Sequence, residues 1–452
     1  MDTIVAISTS TASASGIGVI RLSGPKAKEI AQRCFFSSEK KIQSHRVYYG
    51  RFVDVNEHVL DDGLMVFMKS PKSFTGEDLV EISLHGNPLI LSQAVETLIV
   101  RGARLARPGE FSERAFLSGK LDLMQVEAIA QLIASGSSEE ARQARRRLDG
   151  KSSLLITQLM EKTTHLLAQL EADIDFPEED IDPDVEDQLL QKCQELMDLS
   201  KTLLSSYAHI QKLSSGYHVL IAGLPNAGKS TLFNALLGSE RAIVTDIAGT
   251  TRDTLEEEIW IEGRNIRLID SAGYAPQTQD PIEKQGISRM EDKLKHVDLL
   301  CWICDVSDPD FEAAHKIFAS VPPHRRWWIW SKTDLPSPLP PKPDLELDHV
   351  LGLSAKSGQG LEAFRQDLQK RFSTQVQDIE GGGIANDRQK NLLEAFYQSC
   401  FQTSQSIARH DSPELIAFEL RQGYRNLQDM LGQDIDMEKV YDEIFSTFCV
   451  GK

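Results

Sequence analysis

The stretch HVLIAGLPNAGKSTLFNALLG, residues 218–238, decides the fold of the middle of the chain. An apolar strand pattern leads into a G-x4-G-K-S loop, from Gly223 to Ser230, and then into a helical pattern. Such a loop turns several backbone N–H groups toward phosphates, with Lys229 at the β- and γ-phosphates and the Ser230 hydroxyl available to Mg²⁺. The following helix N-terminus adds positive charge. The stretch predicts a nucleotide-binding loop in a parallel sheet wrapped by helices.

Metal and switch positions follow this loop. The stretch IRLIDSAG (266–273) predicts a second strand that ends at Asp270, a position that can hold Mg²⁺, and Gly273 offers an N–H to a γ-phosphate. Between the two strands, GTTRD (249–253) contains Thr250 and Thr251, and either hydroxyl can close on the metal when a third phosphate is present. This order is typical of the switch segments of GTPases.

Two later motifs indicate the base. WIWSKTD (328–334) and LGLSAKSGQG (351–360) resemble the NKxD and SAK elements with which translation-factor-type GTPases read guanine. The Asn of the first element is Ser331 here, which shortens a side chain that contacts the base and braces the phosphate loop. Asp334 remains, and its carboxylate can accept hydrogen bonds from guanine N1–H and N2–H, which adenine does not offer. We expect selectivity for GTP with weakened affinity, and ATP is the alternative nucleotide.

The residue that orients the attacking water is left open by the pattern. Ras-like enzymes place a Gln directly after the glycine of this strand end, and the chain has Tyr274 there. Asp280 and Glu283, in APQTQDPIEKQG (275–286), are the candidate carboxylates, and spacing alone does not choose between them.

The pattern of apolar residues divides the chain into four segments. Residues 1–119 mix strand and helix patterns, which predicts an α/β domain. Residues 120–215 and 377–452 keep apolar residues at helical spacing, and residues 216–376 alternate strands with helices. We expect a multidomain α/β and all-α protein in which a Ras-like P-loop domain, with a parallel-rich sheet, is inserted into one helical domain.

Composition excludes several classes of protein. Hydrophobic residues make up 41% and charged residues 26%, the balance of an ordinary globular protein, and six scattered cysteines do not form a disulfide framework. No apolar run is long enough to span a membrane, and residues 1–20 contain no Lys or Arg, so we expect no signal peptide and a cytoplasmic location. A net charge of −18 argues against a surface coated for non-specific nucleic-acid binding.

Two local features have alternative interpretations. Cys301 and Cys304 form a C-x2-C pair inside an apparent strand, where they would point to opposite faces, so we expect core residues rather than a zinc or redox site. RQARRRL (142–148) is a basic cluster that permits local docking of a polyanion, although a solvated helix face is equally consistent.

Several further motifs carry a resemblance that extends from end to end of the chain. They are GIGVIRLSG (16–24), SFTGEDLVE (73–81), RPGEFSERAFLSGKLDLMQVEAIA (107–130), IDFPEED (174–180), LPNAGKST (224–231), TDIAGTTRD (245–253) and the final CVGK (449–452). In combination they resemble the MnmE (TrmE) family of tRNA-modification GTPases. RPGEFSERAFL together with CVGK is far more specific than the phosphate loop.

The resemblance implies a function. Members hydrolyse GTP and, with the FAD-dependent protein MnmG (GidA) in a heterotetramer or larger complex, add a carboxymethylaminomethyl or aminomethyl group to C5 of the wobble uridine (position 34) of certain tRNAs. It also implies a homodimer whose N-terminal domains bind 5-formyl-tetrahydrofolate or a related one-carbon folate. The matching folate-site positions are Arg21, Glu81, Lys120 and Lys452. Arg and Lys suit the ligand's carboxylates and Glu81 suits a pterin edge, but a cross-strand ion pair between Arg21 and Glu81 is the alternative.

The resemblance further implies K⁺-dependent hydrolysis on dimerisation of the GTPase domains, without an arginine finger. Its K⁺ positions match Asn226, Thr245, Ile247 and Thr250, and Mg²⁺ would take Ser230 and Thr251. Glu283 matches the residue that orients water. A K⁺ ion would neutralise charge that develops in the transition state. Asn226 could alternatively cap the following helix.

Cys449 is implied to take part in modification, within a tail that docks at the folate site. A lipid anchor at this cysteine fits poorly, because Gly451 is not aliphatic and Lys452 is basic. A thiol near cations has a lowered pKa, which permits nucleophilic chemistry without establishing it.

The catalytic candidates are therefore Lys229, Glu283 and Cys449. The candidate GTP-binding residues are Asn226, Ala227, Gly228, Lys229, Ser230, Thr231, Thr245, Asp246, Ile247, Ala248, Gly249, Thr250, Thr251, Asp270, Ser271, Ala272, Gly273, Ser331, Lys332, Thr333, Asp334, Ser354, Ala355 and Lys356. Two other functions remain open, a GTP-switched ribosome assembly factor and a folate-binding module with a regulatory GTPase.

Overall fold

The computed structural model describes residues 2–10, 13–39, 41–175, 183–238, 256–261, 264–270, 294, 297–309, 311–336, 344–373, 382–433, 444–448 and 451. The strands are β1 Ile4–Ile7, β2 Ser15–Ser23, β3 Phe35–Ser37, β4 Val47–Val53, β5 Val59–Met68, β6 Leu79–Gly86, β7 Arg104–Leu105, β8 Tyr217–Gly223, β9 Glu256–Ile261, β10 Arg264–Asp270, β11 Leu299–Asp305, β12 Arg326–Ser331 and β13 His349–Gly352. The helices are α1 Ala27–Gln32, α2 Pro88–Val100, α3 Glu110–Leu117, α4 Leu123–Ala134, α5 Ser138–Leu148, α6 Lys151–Asp175, α7 Pro183–Ser215, α8 Lys229–Leu237, α9 Phe311–Phe318, α10 Leu361–Ser373, α11 Asp387–Ala408 and α12 Pro413–Leu431. Short 3₁₀ turns occupy Pro323–Arg325 and Phe445–Thr447.

These elements form two compact units. The first contains Met1–Ala134, Ala144–Lys201 and Arg388–Lys452, and the second contains Ser135–Gln143 and Thr202–Asp387. The division of the chain into segments 1–119, 120–215, 216–376 and 377–452 stays a prediction.

Seven of the described strands make the sheet of the first unit, in the order β3-β4-β5-β6-β2-β1-β7. Neighbouring strands are antiparallel except for β1 and β7, which are parallel. One face buries an apolar cluster against α1 and α2, with Tyr48, Phe52, Ile82 and Leu98 fully or almost fully buried. Alternation along each strand sends the neighbouring side chains to the opposite face.

That opposite face, called here the open face, carries apolar and charged side chains together. Tyr49 and Val47 are 67% and 59% exposed, and Leu64 is 44% exposed. Tyr49 lies directly across from Leu64 in the β4–β5 pairing, and Glu81 lies across from Arg21 in the β6–β2 pairing. At β1 the face is covered, because Phe111 of α3 packs on Ile4 and Ala6.

The helices of the first unit join segments from both sides of the chain. Arg388, at the start of α11, donates to both carboxylate oxygens of Glu127 in α4 at 2.7 and 3.1 Å, and also to the carbonyl oxygens of Asp429 and Met430 at the end of α12. Arg421 of α12 pairs with Glu171 of α6 at 2.7 Å. The expectation that helices before and after the middle of the chain pack together is confirmed for these residues.

The long helical pattern of residues 124–148 is interrupted in the structure. α4 ends at Ala134 and α5 begins at Ser138. The Glu140 N–H donates to the Ser137 hydroxyl at 3.0 Å, while the Gly136 N–H donates to the Glu140 carboxylate at 2.9 Å. This reciprocal capping box satisfies backbone donors at a new helix start, which is why one apolar pattern yields two helices.

The second unit has the predicted sheet of parallel strands. Its described strands are in the order β13-β12-β11-β8-β10-β9, all parallel except the edge strand β9, which is antiparallel to β10. Apolar clusters cover both faces, as strands buried on two sides require. Cys301 belongs to one cluster and Cys304 to the other, both buried, so the prediction that they are core residues on opposite faces is confirmed.

Candidate nucleotide and cofactor sites

The phosphate loop lies between β8 and α8, as predicted. Gly223 ends β8 with φ 156°, and a Cβ atom there would stand 2.3 Å from the carbonyl oxygen of Ile303 in the neighbouring strand. Only a residue without a side chain permits this approach. Asn226 and Gly228 have φ 63° and 95°, so the loop curls with left-handed residues before α8 begins at Lys229. The backbone N–H groups at this helix N-terminus suit an anion.

Lys229 folds back over the loop. Its side chain is buried, and Nζ donates to the carbonyl oxygens of Gly223 at 2.9 Å and Leu224 at 2.8 Å. Ser230 and Thr231 are exposed. The ammonium is therefore held at the mouth of the loop, where phosphates would arrive. Gly228 is the N-cap of α8, so the alternative in which Asn226 caps this helix is wrong.

Ser331, the residue that replaces Asn in the guanine-reading element, is bonded to the phosphate loop. It is 4% exposed, and its hydroxyl lies 2.6 Å from the carbonyl oxygen of Ala227 and 3.2 Å from that of Cys304. Because a hydroxyl has one proton, it donates to one carbonyl at a time, and the shorter distance favours Ala227. The brace between the two motifs is thus present with serine.

The two stretches that resemble guanine-reading elements also meet each other. The Thr333 N–H donates to the carbonyl oxygen of Leu353, one residue before Ser354, at 3.3 Å. Ser354 is buried and accepts from the Ser357 N–H at 3.2 Å, which shapes the turn that carries Ala355 and Lys356. Asp334 is exposed. A base placed between these turns would meet the Asp334 carboxylate.

Lys332 is fixed beside these elements by an acid that the sequence reading missed. Lys332 has φ 58°, and its Nζ lies 2.6 Å from a carboxylate oxygen of Asp305, which ends β11. Burial acts to raise the pKa of Asp305, but hydrogen bonds from Lys332 and Ser307 outweigh it and hold the pKa below the usual value. The ionised pair fixes the Lys332 side chain at the carboxyl edge of the sheet.

The other nucleotide and metal candidates extend beyond what the structure describes. Asp270 ends β10 as predicted. Outside the described residues lie Thr245, Asp246, Ile247, Ala248, Gly249, Thr250, Thr251, Ser271, Ala272, Gly273, Tyr274, Asp280, Glu283, Cys449 and Lys452. In the described part of the chain, no group of three or more His, Cys, Asp or Glu side chains is arranged to hold a metal ion.

The candidate folate residues Arg21 and Glu81 meet on the open face of the first unit. Arg21 Nε lies 2.7 Å from Glu81 Oε1, and the side chains are 29% and 31% exposed. The cross-strand ion pair is therefore present. Because both side chains stay partly exposed, both groups can also contact a ligand. The guanidinium also lies 6.0 Å from the Phe74 ring centroid.

Lys120 is held near this face by the turn after α3. The Ser118 hydroxyl lies 2.8 Å from the carbonyl oxygen of Thr75, and a Cβ on Gly76 would lie 3.7 Å from Cγ of Lys120. The Lys120 N–H donates to the carbonyl oxygen of Ala115 at 2.9 Å. Loop 73–78 and Lys120 are thus positioned together, and the Lys120 side chain is exposed.

The last described residue, Gly451, docks on β1. The Ser8 hydroxyl donates to the Gly451 carbonyl oxygen at 3.1 Å, and a Cβ on Gly451 would stand 2.3 Å from the carbonyl oxygen of Ile7. Ile444, Phe445 and Phe448 bury their side chains against α4. These residues therefore pack against β1 and α4, and docking of the tail at a folate site stays a prediction.

The RPGEFSER stretch forms a charged network that sequence reading did not assign. Arg114, 9% exposed, donates to Glu77 at 2.9 Å, Glu110 at 3.1 Å and both the carboxylate and the carbonyl of Asp2. Arg104 pairs with Asp2 and with both oxygens of Glu110. Hydrogen bonds from Arg104 lower the pKa of Asp2. The regular i, i+3 and i+4 spacing of Glu and Arg in α3 was the available signal.

Comparisons with known proteins match the whole chain. The model of the MnmE helical domain matches residues 123–449, and that of the GTP-binding protein TrmE N-terminus matches residues 3–120. Proteins named tRNA modification GTPase MnmE are similar over the full length. The Chlamydia trachomatis serovar A protein is 39% identical, with 100% of this chain and 99% of that protein covered.

The chain belongs to the MnmE family. Other MnmE relatives support this assignment. The protein of Xanthomonas campestris pv. campestris strain B100 is 41% identical, with 100% of this chain and 99% of that protein covered. That of Aquifex aeolicus is 37% identical, with both chains covered completely. The resemblance stated from the motifs is confirmed, and so is the expected combination of an N-terminal domain, a helical domain and a P-loop domain.

Two further findings concern the cysteines and the helices of the described residues. The five described cysteines, Cys34, Cys193, Cys301, Cys304 and Cys400, are buried, and none forms a disulfide bond within the described residues. None of the described helices has the length and apolar character needed to cross a bilayer.

Proposed function

We propose that this MnmE-family protein hydrolyses GTP to drive modification of the wobble uridine of tRNA. The observation that carries the proposal is full-length similarity, at 37–41% identity, to proteins named tRNA modification GTPase MnmE. The geometry of the second unit supports it, because the phosphate loop and the Ser331–Asp334 element are joined by a hydrogen bond. Guanine is the base that Asp334 would select.

The nucleotide residues have defined tasks in this proposal. The α8 N-terminus and Lys229 would bind the phosphates, and Ser230 and Thr251 would hold Mg²⁺, which would supply charge neutralisation in phosphoryl transfer. Asp334 accepts the guanine N–H groups, and Lys332, fixed by Asp305, covers the base. Glu283 orients the attacking water, with Asp280 as the alternative.

Potassium is proposed as a second cation. Asn226, with Thr245, Ile247 and Thr250, would supply oxygen ligands beside the phosphates, and a monovalent cation there would stabilise developing negative charge as an arginine finger does in other enzymes. Asn226 is exposed in the phosphate loop, in a left-handed conformation, which supports this role because its side chain is accessible to an ion.

A one-carbon folate, 5-formyl-tetrahydrofolate or a relative, is proposed as the cofactor of the first unit. Arg21, Lys120 and Lys452 would pair with its carboxylates, and Glu81 would accept from its pterin edge. These groups fit such a ligand because the Arg21–Glu81 pair is partly exposed on the open face. The folate would supply the one-carbon unit, and Cys449 would act beside it.

Two protein partners are proposed. The exposed Val47, Tyr49 and Leu64 side chains make an apolar strip on the open face, which supports a homodimer formed through the N-terminal domains. An FAD-dependent partner, MnmG, would complete the modification of C5 in a heterotetramer or larger complex, and the proposed location is the cytoplasm.

Nucleoside analysis of bulk tRNA tests the proposal. A strain that lacks this protein should lack the C5 aminomethyl-type wobble uridine and regain it when the unaltered gene returns. Normal modification in the deletion strain would reject the function and favour a ribosome assembly factor or a folate-binding module with a regulatory GTPase.

A further inference from the structure

A cavity of about 320 Å³ opens at the amino edge of the sheet in the second unit. Asp298 directly precedes β11 and Arg325 directly precedes β12, and both line the cavity. The phosphate loop and Ser331 lie at the carboxyl ends of β8 and β12. Because these strands are parallel, the cavity is at the edge opposite the nucleotide site.

The lining of this cavity is basic. Lys212, Arg325 and Arg371 contribute three cations, His324 contributes an imidazole, and Asp298 is the acid. Asp298 balances one cation, because Lys212 Nζ lies 2.8 Å from its carboxylate, which also accepts the His218 N–H at 2.9 Å. The cavity therefore keeps an excess of positive charge.

The two arginines make different contacts in the cavity. Arg325 donates to a neutral acceptor, the carbonyl oxygen of Val297, at 3.3 Å. Arg371 donates to the carbonyl oxygen of His324 at 2.7 Å, while its Nε is buried without a hydrogen-bond partner in the described residues. The Asp348 carboxylate lies 3.8 Å from that Nε, close enough for an ion pair but beyond hydrogen-bond distance. A buried donor of this kind is costly unless a ligand or water accepts from it.

The chemistry points to a phosphate group. Guanidinium groups present planar sets of N–H donors that match phosphate oxygens. The basic cluster noted in the sequence, residues 142–148, does not offer the same charge. Arg142 pairs with Glu139, Arg145 pairs with Asp149, and Arg147 is 2% exposed. For a chain with net charge −18, a polyanion needs such local basic surfaces to bind.

We propose that the cavity lined by Lys212, Arg325 and Arg371 binds a backbone phosphate of tRNA. The inference rests on the proposed function, since tRNA is the substrate named there. It assigns the second unit an RNA contact on the edge away from GTP. Nucleotide hydrolysis and this RNA contact would then use opposite edges of one sheet.

The test is salt-dependent binding of bulk tRNA to the full-length chain without nucleotide, measured by filter retention. Arg325→Ala should weaken binding roughly fivefold at low salt and reduce the slope of log affinity against log salt by about one. Arg325→Glu should weaken it roughly tenfold or more. Lys316→Glu is the matched control, because it changes net charge equally at an exposed position of helix α9, outside the cavity lining. GTP turnover without tRNA should be the same in all variants.

Three results would overturn the proposal. Equal tRNA affinity for Arg325→Glu and Lys316→Glu would show that the net charge of the protein, and not the cavity, determines tRNA binding. The proposal would also be rejected if the unaltered protein showed no salt-dependent binding of tRNA. Loss of binding to a protein partner, with tRNA affinity unchanged, would assign the cavity to an acidic peptide instead. The modification reaction is judged separately by nucleoside analysis, so the two proposals fail by different measurements.

Discussion

The hydroxyl of Ser331 lies 2.6 Å from the carbonyl oxygen of Ala227, so the turn that begins at Ser331 is bonded to the loop between β8 and α8. In the sequence, serine at this position shortens a side chain that contacts the base and braces the phosphate loop. The structure shows that the shorter side chain still makes the brace, because it is buried directly against the loop. The missing amide still removes a contact to the base.

Removal of this brace should weaken nucleotide binding. Ser331→Ala leaves the buried Ala227 carbonyl without its partner, a cost of about 1–2 kcal/mol, which predicts roughly tenfold weaker GDP binding by isothermal titration. Ser206→Ala is the control, since Ser206 is another buried serine of the second unit that donates to a backbone carbonyl, that of Leu203. It should lower stability and leave GDP affinity unchanged. Equal GDP affinity in Ser331→Ala and the unaltered chain would show that the brace is not used.

The proposed potassium site predicts a cation dependence of GTP turnover. Hydrolysis by the unaltered chain should be at least tenfold faster in KCl than in NaCl at equal ionic strength, because the ion neutralises transition-state charge. Asn226→Ala should bring the two rates together at the lower value. Equal rates in the two salts for the unaltered chain would remove potassium from the mechanism.

Exchange of the charges of Arg21 and Glu81 tests whether these residues bind folate or form only a structural ion pair. The pair is about one-third exposed, so either single substitution should cost no more than about 1 kcal/mol of stability. Arg21→Glu combined with Glu81→Arg should restore the pair and the melting temperature. Folate binding, followed by titration with 5-formyl-tetrahydrofolate, should remain lost because each charge faces the wrong part of the ligand. Normal folate binding by the doubly reversed chain would make the pair a structural contact alone.

The charged network around α3 predicts acid sensitivity of the first unit. Burial acts to raise the pKa of Glu110, but hydrogen bonds from Arg104, the Arg107 backbone and Arg114 lower it below the usual value. Its contribution is then complete above its unfolded pKa, about 4.3, and is lost as pH falls through the lower folded pKa. Glu110→Gln should lower the free energy of unfolding by about 3 kcal/mol at pH 7. It should also weaken the loss of stability in acid, and calorimetry at several pH values measures both effects.

Glu113 supplies the contrast for that experiment. Burial raises the pKa of Glu113 despite its pairing with Arg107, so ionisation of Glu113 destabilises the folded state. This cost is complete above the raised folded pKa and is relieved as pH falls through it. Glu113→Gln should therefore cost less at pH 7 than Glu110→Gln. A larger loss in Glu113→Gln would contradict the assignment of the network to Glu110.

Sequence reasoning was strongest where periodicity and glycine positions fix the backbone. The strands and the loop from Gly223 to Ser230 follow from alternation, the apolar pattern and the close approach of backbone that only glycine allows. It was weakest for contacts between residues distant in the chain. Arg114 with Asp2, Arg388 with Glu127 and Lys332 with Asp305 each pair charges whose partners no spacing reveals. The α4–α5 break was also missed, because the apolar pattern continues across Ser137 while the capping box ends one helix and starts another.

The central claim is that GTP cleavage in the second unit drives tRNA modification. The most direct measurement is nucleoside analysis of bulk tRNA from a deletion strain that carries either Lys229→Ala or the matched control Lys316→Ala. Lys229 bonds within the phosphate loop, whereas Lys316 is an exposed lysine of the same unit. We predict no C5-modified wobble uridine with Lys229→Ala and a normal level with Lys316→Ala. A normal level with Lys229→Ala, in cells where its GTP hydrolysis is abolished, would contradict the claim.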